Sequence, residues 1–285
     1  MTQSYLALLG TKGGPAIRPG STMPTSNLLC LGGRRIVVDC GLGVARGLID
    51  QGMELKELSL IFITHLHSDH YLELGPLIHT AWTAGLKHRV RIYGPAGLET
   101  YWASFLASME ADISLRIKDE GRPDLQQLVE IHTVDSGRVF DEEGLVVTAM
   151  RTEHPPLIDC FAFRFSGAGR DAVMSGDTAY LPPLAEFAAG ADLLVHEAML
   201  GAALEALVAR VGNIDDRLMT HLIRSHTKAG DAAKIAASAG VGALALNHLI
   251  PSDDPDYNEA DWQAAVAPHW NGTFYVGRDG LRIDL

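Results

Sequence analysis

The sequence predicts an α/β fold with sheets inside and helices outside, and three observations carry that expectation. Strand-like and helix-like patterns alternate through both halves of the chain instead of segregating. Residues 58–64 form a near-continuous apolar run, typical of a strand covered on both faces. The 285 residues are 47% hydrophobic and 20% charged, which supplies a large core and excludes intrinsic disorder. No repeat or low-complexity linker divides the chain, so residues 1–285 are expected to form a single domain.

The elements follow in order. Residues 5–9, 27–31 and 34–39 read as early strands, broken by Gly13-Gly14-Pro15, Pro19-Gly20 and Gly32-Gly33. Gly32-Gly33 between two short apolar runs predicts a hairpin turn. The run at 58–64 precedes helical spacing over 71–84, which includes Leu74, Leu77, Ile78 and Ala81. A strand is expected at 89–93 and a helix at 97–111. Tyr101 and Trp102 in that helix, with Trp82, are expected in the core. Further strands are expected at 128–134, 145–150, 160–165, 172–175, 192–196 and 243–247, with 273–276 and 281–285 closing the chain. Helices are expected at 181–189, 199–211, 227–239 and 259–267.

Charge narrows the function before any motif does. The 23 Lys and Arg stand against 35 Asp and Glu, a net charge of −12. A broad basic face that grips phosphates is therefore not expected, nor is nucleic acid as a partner. A local positive site stays open, because a bound metal can supply the charge. No apolar run reaches the ~18–20 residues of a membrane span. Residues 1–14 carry no basic stretch ahead of an apolar segment of signal length. Cys30, Cys40 and Cys160 show no CxxC spacing and read as small apolar core residues. A soluble, unexported, cytoplasmic protein is expected, with no membrane partner.

The strongest local feature is His65-Leu66-His67-Ser68-Asp69-His70, directly after the buried run and before a helix. Ligands gather at strand ends in open α/β sheets. Imidazole and carboxylate suit zinc and similar divalent ions. In an extended segment His65, His67 and Asp69 project to one side, and a turn after Asp69 brings His70 onto a neighbouring ion. The competing reading is a solvated loop rich in histidine. Three later residues each follow an expected strand: His154 in Glu153-His154-Pro155, Asp177 in Gly176-Asp177-Thr178, and His248 in Asn247-His248. Each alone is ordinary turn or surface chemistry. With the cluster they make seven ligands, Asp177 being positioned to bridge. His79, His88, His132, His196, His221 and His269 have no metal-ligand partner in the sequence and read mostly as surface or core residues.

This ordered set resembles the metallo-β-lactamase superfamily over nearly the whole chain, including Leu9-Gly10-Thr11 and Val38-Asp39-Cys40-Gly41. The resemblance implies an αββα sandwich of two mixed sheets with a two-metal site at one edge. It implies that His65, His67 and His154 hold one ion, that Asp69, His70 and His248 hold the other, and that Asp177 bridges them. His196-Glu197-Ala198-Met199 and Ser225-His226-Thr227 are similar to segments of the ribonuclease Z and arylsulfatase-like branch. There a histidine protonates the leaving oxygen and a carboxylate orients it; His226 and Glu197 match those positions. Alternatively, Glu197 is an acid at a helix N-terminus, favoured by the macrodipole. A homodimer is implied by the resemblance alone.

Only 23 positions separate His154 from Asp177, which leaves no room for the tRNA-gripping arm that ribonuclease Z carries there. Leu249-Ile250-Pro251 after His248 is closer to the small-substrate hydrolases of the branch. The expected function is a dinuclear metal-dependent hydrolase of small esters, with a phosphodiester or related phosphate or sulfate ester leading. Two Zn²⁺ ions (Mn²⁺ or Fe²⁺ are alternatives) about 3.5–4 Å apart would share a water acidified towards a pKa of ~7, with Asp69 orienting it. A lactonase, a ribonuclease Z-like endonuclease and a metal-bound binding protein without turnover are the alternatives.

Overall fold

Two mixed β-sheets lie face to face in the computed structural model, which describes residues 4–212 and 215–285; residues 1–3 of the leader stretch considered above lie outside them. The N-terminal half supplies β1 (Tyr5–Gly10), β2 (Ser26–Leu31), β3 (Arg34–Cys40), β4 (Leu60–Phe62), β5 (Val90–Gly94) and β6 (Val129–Thr133). Its helices are α1 (Val44–Asp50), α2 (Ser68–Tyr71), α3 (Leu74–Thr83) and α4 (Leu98–Glu120). The C-terminal half supplies β7 (Gly137–Glu142), β8 (Leu145–Arg151), β9 (Phe161–Gly167), β10 (Arg170–Met174), β11 (Leu193–Met199), β12 (Ala243–Ile250), β13 (Thr273–Val276) and β14 (Leu281–Asp284). Its helices are α5 (Leu184–Phe187), α6 (Leu204–Val211), α7 (Arg217–Ser225), α8 (Ala229–Ala239) and α9 (Glu259–Val266). Among the described residues the strand orders are β14-β1-β2-β3-β4-β5-β6 and β13-β12-β11-β10-β9-β8-β7.

Each sheet starts as an antiparallel meander and continues as parallel strands, β3 to β6 in one and β10 to β13 in the other. The parallel strands need crossovers, and their helices cover the outer faces. Phe62, Phe161, Phe163, Phe165, Leu6 and Leu8 fill the space between the sheets. Trp82 and Trp102 pack outside the first sheet, and Trp262 with the alanine-rich face of α8 packs outside the second. This is the expected αββα order. Gly32 and Gly33 both have positive φ, as the predicted tight hairpin between β2 and β3 requires. Cys30, Cys40 and Cys160 are buried and joined by no disulfide among the described residues. Among the described residues no helix is long and apolar enough to cross a membrane.

Several boundaries differ from expectation. The helix expected at 199–211 starts only at Leu204, because β11 stays paired with β12 as far as Met199 and Ile250. The helix expected at 181–189 shrinks to Leu184–Phe187 behind Pro182-Pro183. That expected at 71–84 divides into α2 and α3, and that at 97–111 runs on to Glu120. Strand β7 and helix α7 were not expected. β7 is largely exposed at a sheet edge, and α7 interleaves its apolar residues with polar ones.

His196 is fully buried on β11. Its Nδ1–H donates to the Glu197 carbonyl at 2.7 Å, and its Nε2 has no hydrogen-bond partner among the described residues. Burial pushes its pKa down to about 4, since a proton on Nε2 would be a buried charge with no acceptor. The unfolded chain binds that proton near pH 6.5. Stability from this group is therefore complete above pH 6.5 and is lost as pH falls towards 4, by about 3 kcal/mol. Urea unfolding from pH 6.5 to 4 should show a steeper loss in the native protein than in His196→Gln. Equal slopes would show that His196 does not titrate in this way.

Candidate metal centre

Extended backbone places His65 and His67 on one side of the segment that leaves β4. The turn expected after Asp69 comes earlier. Helix α2 starts at Ser68, and His70 N–H donates to the His67 carbonyl at 2.9 Å. Successive helical residues diverge by about 100°. Asp69 and His70 fall in a ligand group apart from the His65–His67 pair, although the His70 ring lies 4.0 Å from that of His65, and Asp69 does not join the pair as the extended reading expected.

His154 after β8, Asp177 after β10 and His248 within β12 complete two groups around a shared carboxylate. In the first, His67 Nδ1 lies 3.2 Å from His65 Nε2 and 2.9 Å from His154 Nε2. Asp177 Oδ2 is 3.7 Å from His65 Nε2 and 3.8 Å from His154 Nε2. In the second, Asp69 Oδ2 lies 3.3 Å from His248 Nε2 and 3.7 Å from His70 Nε2. Asp177 reaches this group with both oxygens, Oδ2 at 3.0 Å from His248 Nε2 and Oδ1 at 3.4 Å from His70 Nε2. Donors about 2.0–2.1 Å from a common tetrahedral centre lie about 3.3–3.4 Å apart, and both groups straddle that spacing.

The electrostatics also fit cations. His70 Nε2 and Asp177 Oδ1 are buried without a hydrogen-bond partner among the described residues. Burial alone would lower His70 and His248, but the surrounding carboxylates outweigh it. Asp177, Asp39 and Asp69 hold His70 well above its usual range, and Asp177 and Asp69 push His248 up to about 10. Burial acts to raise Asp177 and Asp69, yet the facing histidines hold both carboxylates low. Protons on these histidines thus stand where the site calls for positive charge. The first group differs: burial lowers His65 strongly and His154 to about 4, leaving neutral lone pairs ready to coordinate.

Two β-bulges aim key side chains. His248 is an extra residue in β12 opposite the Glu197–Ala198 step, with φ of 45°. Asp39 is the matching extra residue in β3 opposite Ser26–Asn27, with φ of 62°. Sequence reasoning noted Asp39 only as part of a strand and missed its place here. Its Oδ2 accepts from His70 Nδ1 at 2.8 Å, and Oδ1 accepts from Thr64 N–H at 2.8 Å. Holding Nδ1 this way turns the His70 Nε2 lone pair towards Asp177. Asp39→Asn, which tolerates the same positive φ, should weaken one of two metal-binding steps by roughly 10–100-fold and spare the other. Metal titration would show one tight and one weakened step; two unchanged steps would refute the role.

Residues 12–14 also close on the site. Gly14 N–H donates to Asp69 Oδ2 at 2.8 Å. A Cβ on Gly13 would sit 2.9 Å from the His248 ring and 2.4 Å from Ile250, so only glycine fits.

Glu197 lies in β11, which removes the reading as a helix N-terminal acid. Its two oxygens are each 3.1 Å from His226 Nδ1, and Thr178 N–H donates to Oε1 at 2.8 Å. His226, the residue after α7, lines the same cavity as Asp69, Asp177 and His248. His221, expected at the surface or in the core, lines that cavity too, its ring 5.7 Å from His226 and 5.9 Å from His154. Helix α7, whose Leu218, Met219, Leu222 and Ile223 repeat at helical spacing, brings it there, and that spacing was the signal that could have found it.

Fold and site together define a metal-dependent hydrolase of the metallo-β-lactamase type. Residues 5–208 match the family described as "Anti-Pycsar protein Apyc1". The chain is also 31% identical over 283 residues to the ribonuclease Z of Mycobacterium marinum (strain ATCC BAA-535 / M), covering 98% of either protein. It belongs to the Apyc1 family and to the ribonuclease Z branch of the metallo-β-lactamase superfamily. Among solved structures it is similar to the metallo-β-lactamase fold protein YhfI from Bacillus subtilis, at a TM-score of 0.71 and 20% identity, covering 99% of this chain and 100% of that one. It is similar to human tRNase Z, short form (ELAC1), at a TM-score of 0.68 and 22% identity, covering 98% of each. At such identities these two likenesses speak for the fold.

Proposed function

We propose that residues 1–285 act as one domain that hydrolyses a small phosphodiester with two divalent ions, Zn²⁺ being the favoured metal. The observation that carries this reading is Asp177 shared between two buried ligand groups, beside a His226–Glu197 pair. His65, His67 and His154 would hold one ion, Asp69, His70 and His248 the other. The ions would supply Lewis acidity and an acidified water. Asp69, fixed by Gly14 N–H, orients that water through its carboxylate. His226 keeps Nδ1–H on Glu197 and presents a proton at Nε2. As the water's oxygen bonds to phosphorus and the P–O bond breaks, that proton passes to the leaving oxygen; the water's own proton is lost to solvent, and an equivalent one returns to His226. Glu197 stabilises the imidazolium beforehand and sets its orientation.

A cavity of about 300 Å³ above these residues supports a small substrate, as does the short interval from His154 to Asp177. The alternative is an RNA phosphodiester, favoured by identity to a ribonuclease Z along nearly the whole chain. The deciding experiment pairs elemental analysis with turnover of bis(4-nitrophenyl) phosphate, an aryl sulfate, a lactone and a precursor tRNA. Two metals per chain with fastest turnover of the phosphodiester are expected. A loaded protein with one ion removes the dinuclear reading, and efficient tRNA cleavage at physiological salt replaces the small substrate by RNA.

A further inference from the structure

The cavity has unlike walls. Its floor holds His67, Asp69, Asp177 and His248. One side is residues 12–16 with Arg18, and Lys12 and Arg18 both meet Asp253, at 3.5 and 3.3 Å. The other is apolar: Leu207 and Val211 of α6, Leu218 and Leu222 of α7, and Ile250-Pro251 at the end of β12. Leu222 and Ile250 belong to a small hydrophobic cluster with Met199 and Leu204, against which Leu207 and Leu218 pack. Arg210 of α6 reaches Asp253 and Asp254 at 3.5 and 3.4 Å, tying this wall to the loop after β12.

His226 follows α7 directly and lines the cavity with Leu218 and Leu222 of that helix, and Glu197 occupies its Nδ1, which leaves Nε2 as the nitrogen available to a substrate beside the apolar wall. A leaving oxygen that takes its proton lies there, and the group attached to that oxygen runs along α7 and α6. We infer that α6 and α7 are the specificity element of this site, and that the substrate is a small phosphodiester whose leaving group is apolar or aromatic. This inference rests on the proposed phosphodiester hydrolysis. It places the substituent on the leaving side and not on the other, where the wall carries no cluster of large apolar side chains and Lys12 and Arg18 are paired with Asp253.

The test compares kcat/KM of the metal-loaded protein on three esters: methyl phenyl phosphate, methyl 4-butylphenyl phosphate and butyl phenyl phosphate. The first two release phenols of nearly equal acidity, so their difference reports packing. Partial burial of the four butyl carbons should favour the butylphenyl ester by on the order of tenfold or more, while butyl on the other side should gain no more than about twofold. Leu218→Asp and Leu207→Asp should each bring the butylphenyl preference close to one. Both side chains are half-buried at the cavity edge, and Leu218→Ser is the milder replacement if the Asp variant unfolds. Equal kcat/KM for the two aryl esters, a preference for butyl on the non-leaving side, or an unchanged ratio in the variants would overturn the inference. If no ester turns over, phosphodiester hydrolysis itself fails. Calorimetric binding of phenyl phosphate and 4-butylphenyl phosphate then decides the wall separately: about tenfold tighter binding of the butyl compound supports it, and equal binding overturns it.

Discussion

Asp177→Ala is expected to lose bound metal and activity together. Its oxygens approach nitrogens of His65, His154, His70 and His248, so this one carboxylate touches both groups. Without it two divalent ions would face each other with less compensating charge. The loss of metal affinity should exceed the roughly 10–100-fold typical of residues that only support a ligand. Metal content after gel filtration should fall well below that of the native protein, with kcat falling in parallel. Asp177→Asn keeps the shape and removes the charge, and it should behave nearly as badly. A variant that retained both ions and full turnover would show that Asp177 is a bystander.

His226→Ala should produce the opposite pattern. The His226 ring binds Glu197 through Nδ1 and faces the cavity with its other nitrogen. Removing it should leave both ions bound and lower kcat on an unactivated ester by on the order of 10²–10⁴, as expected for loss of a general acid. On a 4-nitrophenyl ester the loss should shrink, because nitrophenolate departs with less need for a proton. Glu197→Gln should follow the same leaving-group dependence with a smaller effect, since it acts through His226. The competing outcome has a structural basis, because His226 Nδ1 is also 4.0 Å from Asp177 Oδ2. If His226→Ala releases a metal, the residue is a ligand. If it turns over the unactivated ester at the native rate, the histidine is structural.

Most strands were legible because burial imposes a simple pattern on them. The runs at 5–9, 27–31 and 34–39 became β1 to β3 within a residue or two at each end. The near-continuous run at 58–64 became a short β4 plus an irregular extension, since pairing with β3 and β5 ends at Phe62 while burial continues through His65. β11 was read three residues short. Its last residues, Glu197 to Met199, are held by pairing with β12 around a bulge, and no local preference announces that pairing. The helix α7 went unread for another reason: Leu218, Met219, Leu222 and Ile223 do recur at helical spacing, but the segment is only nine residues long and its other residues are polar.

By itself, the sequence determined the chemistry available: four candidate ligands of two types in six residues after a buried strand, and three more in or beside later strands. Strand positions, burial and candidate-ligand identity are written locally, in residue type and short-range pattern. The family resemblance already implied how those candidate ligands divide; the tertiary structure alone decided where the turn that parts Asp69 from His65 and His67 falls, and that Asp39 aims His70 from 31 residues away. It alone brought His221 and the apolar wall to the cavity. These depend on a helical turn at Ser68, on bulges at Asp39 and His248, and on where α6 and α7 pack. Such contacts join residues far apart in the chain, and they exist only once the two sheets have closed on each other.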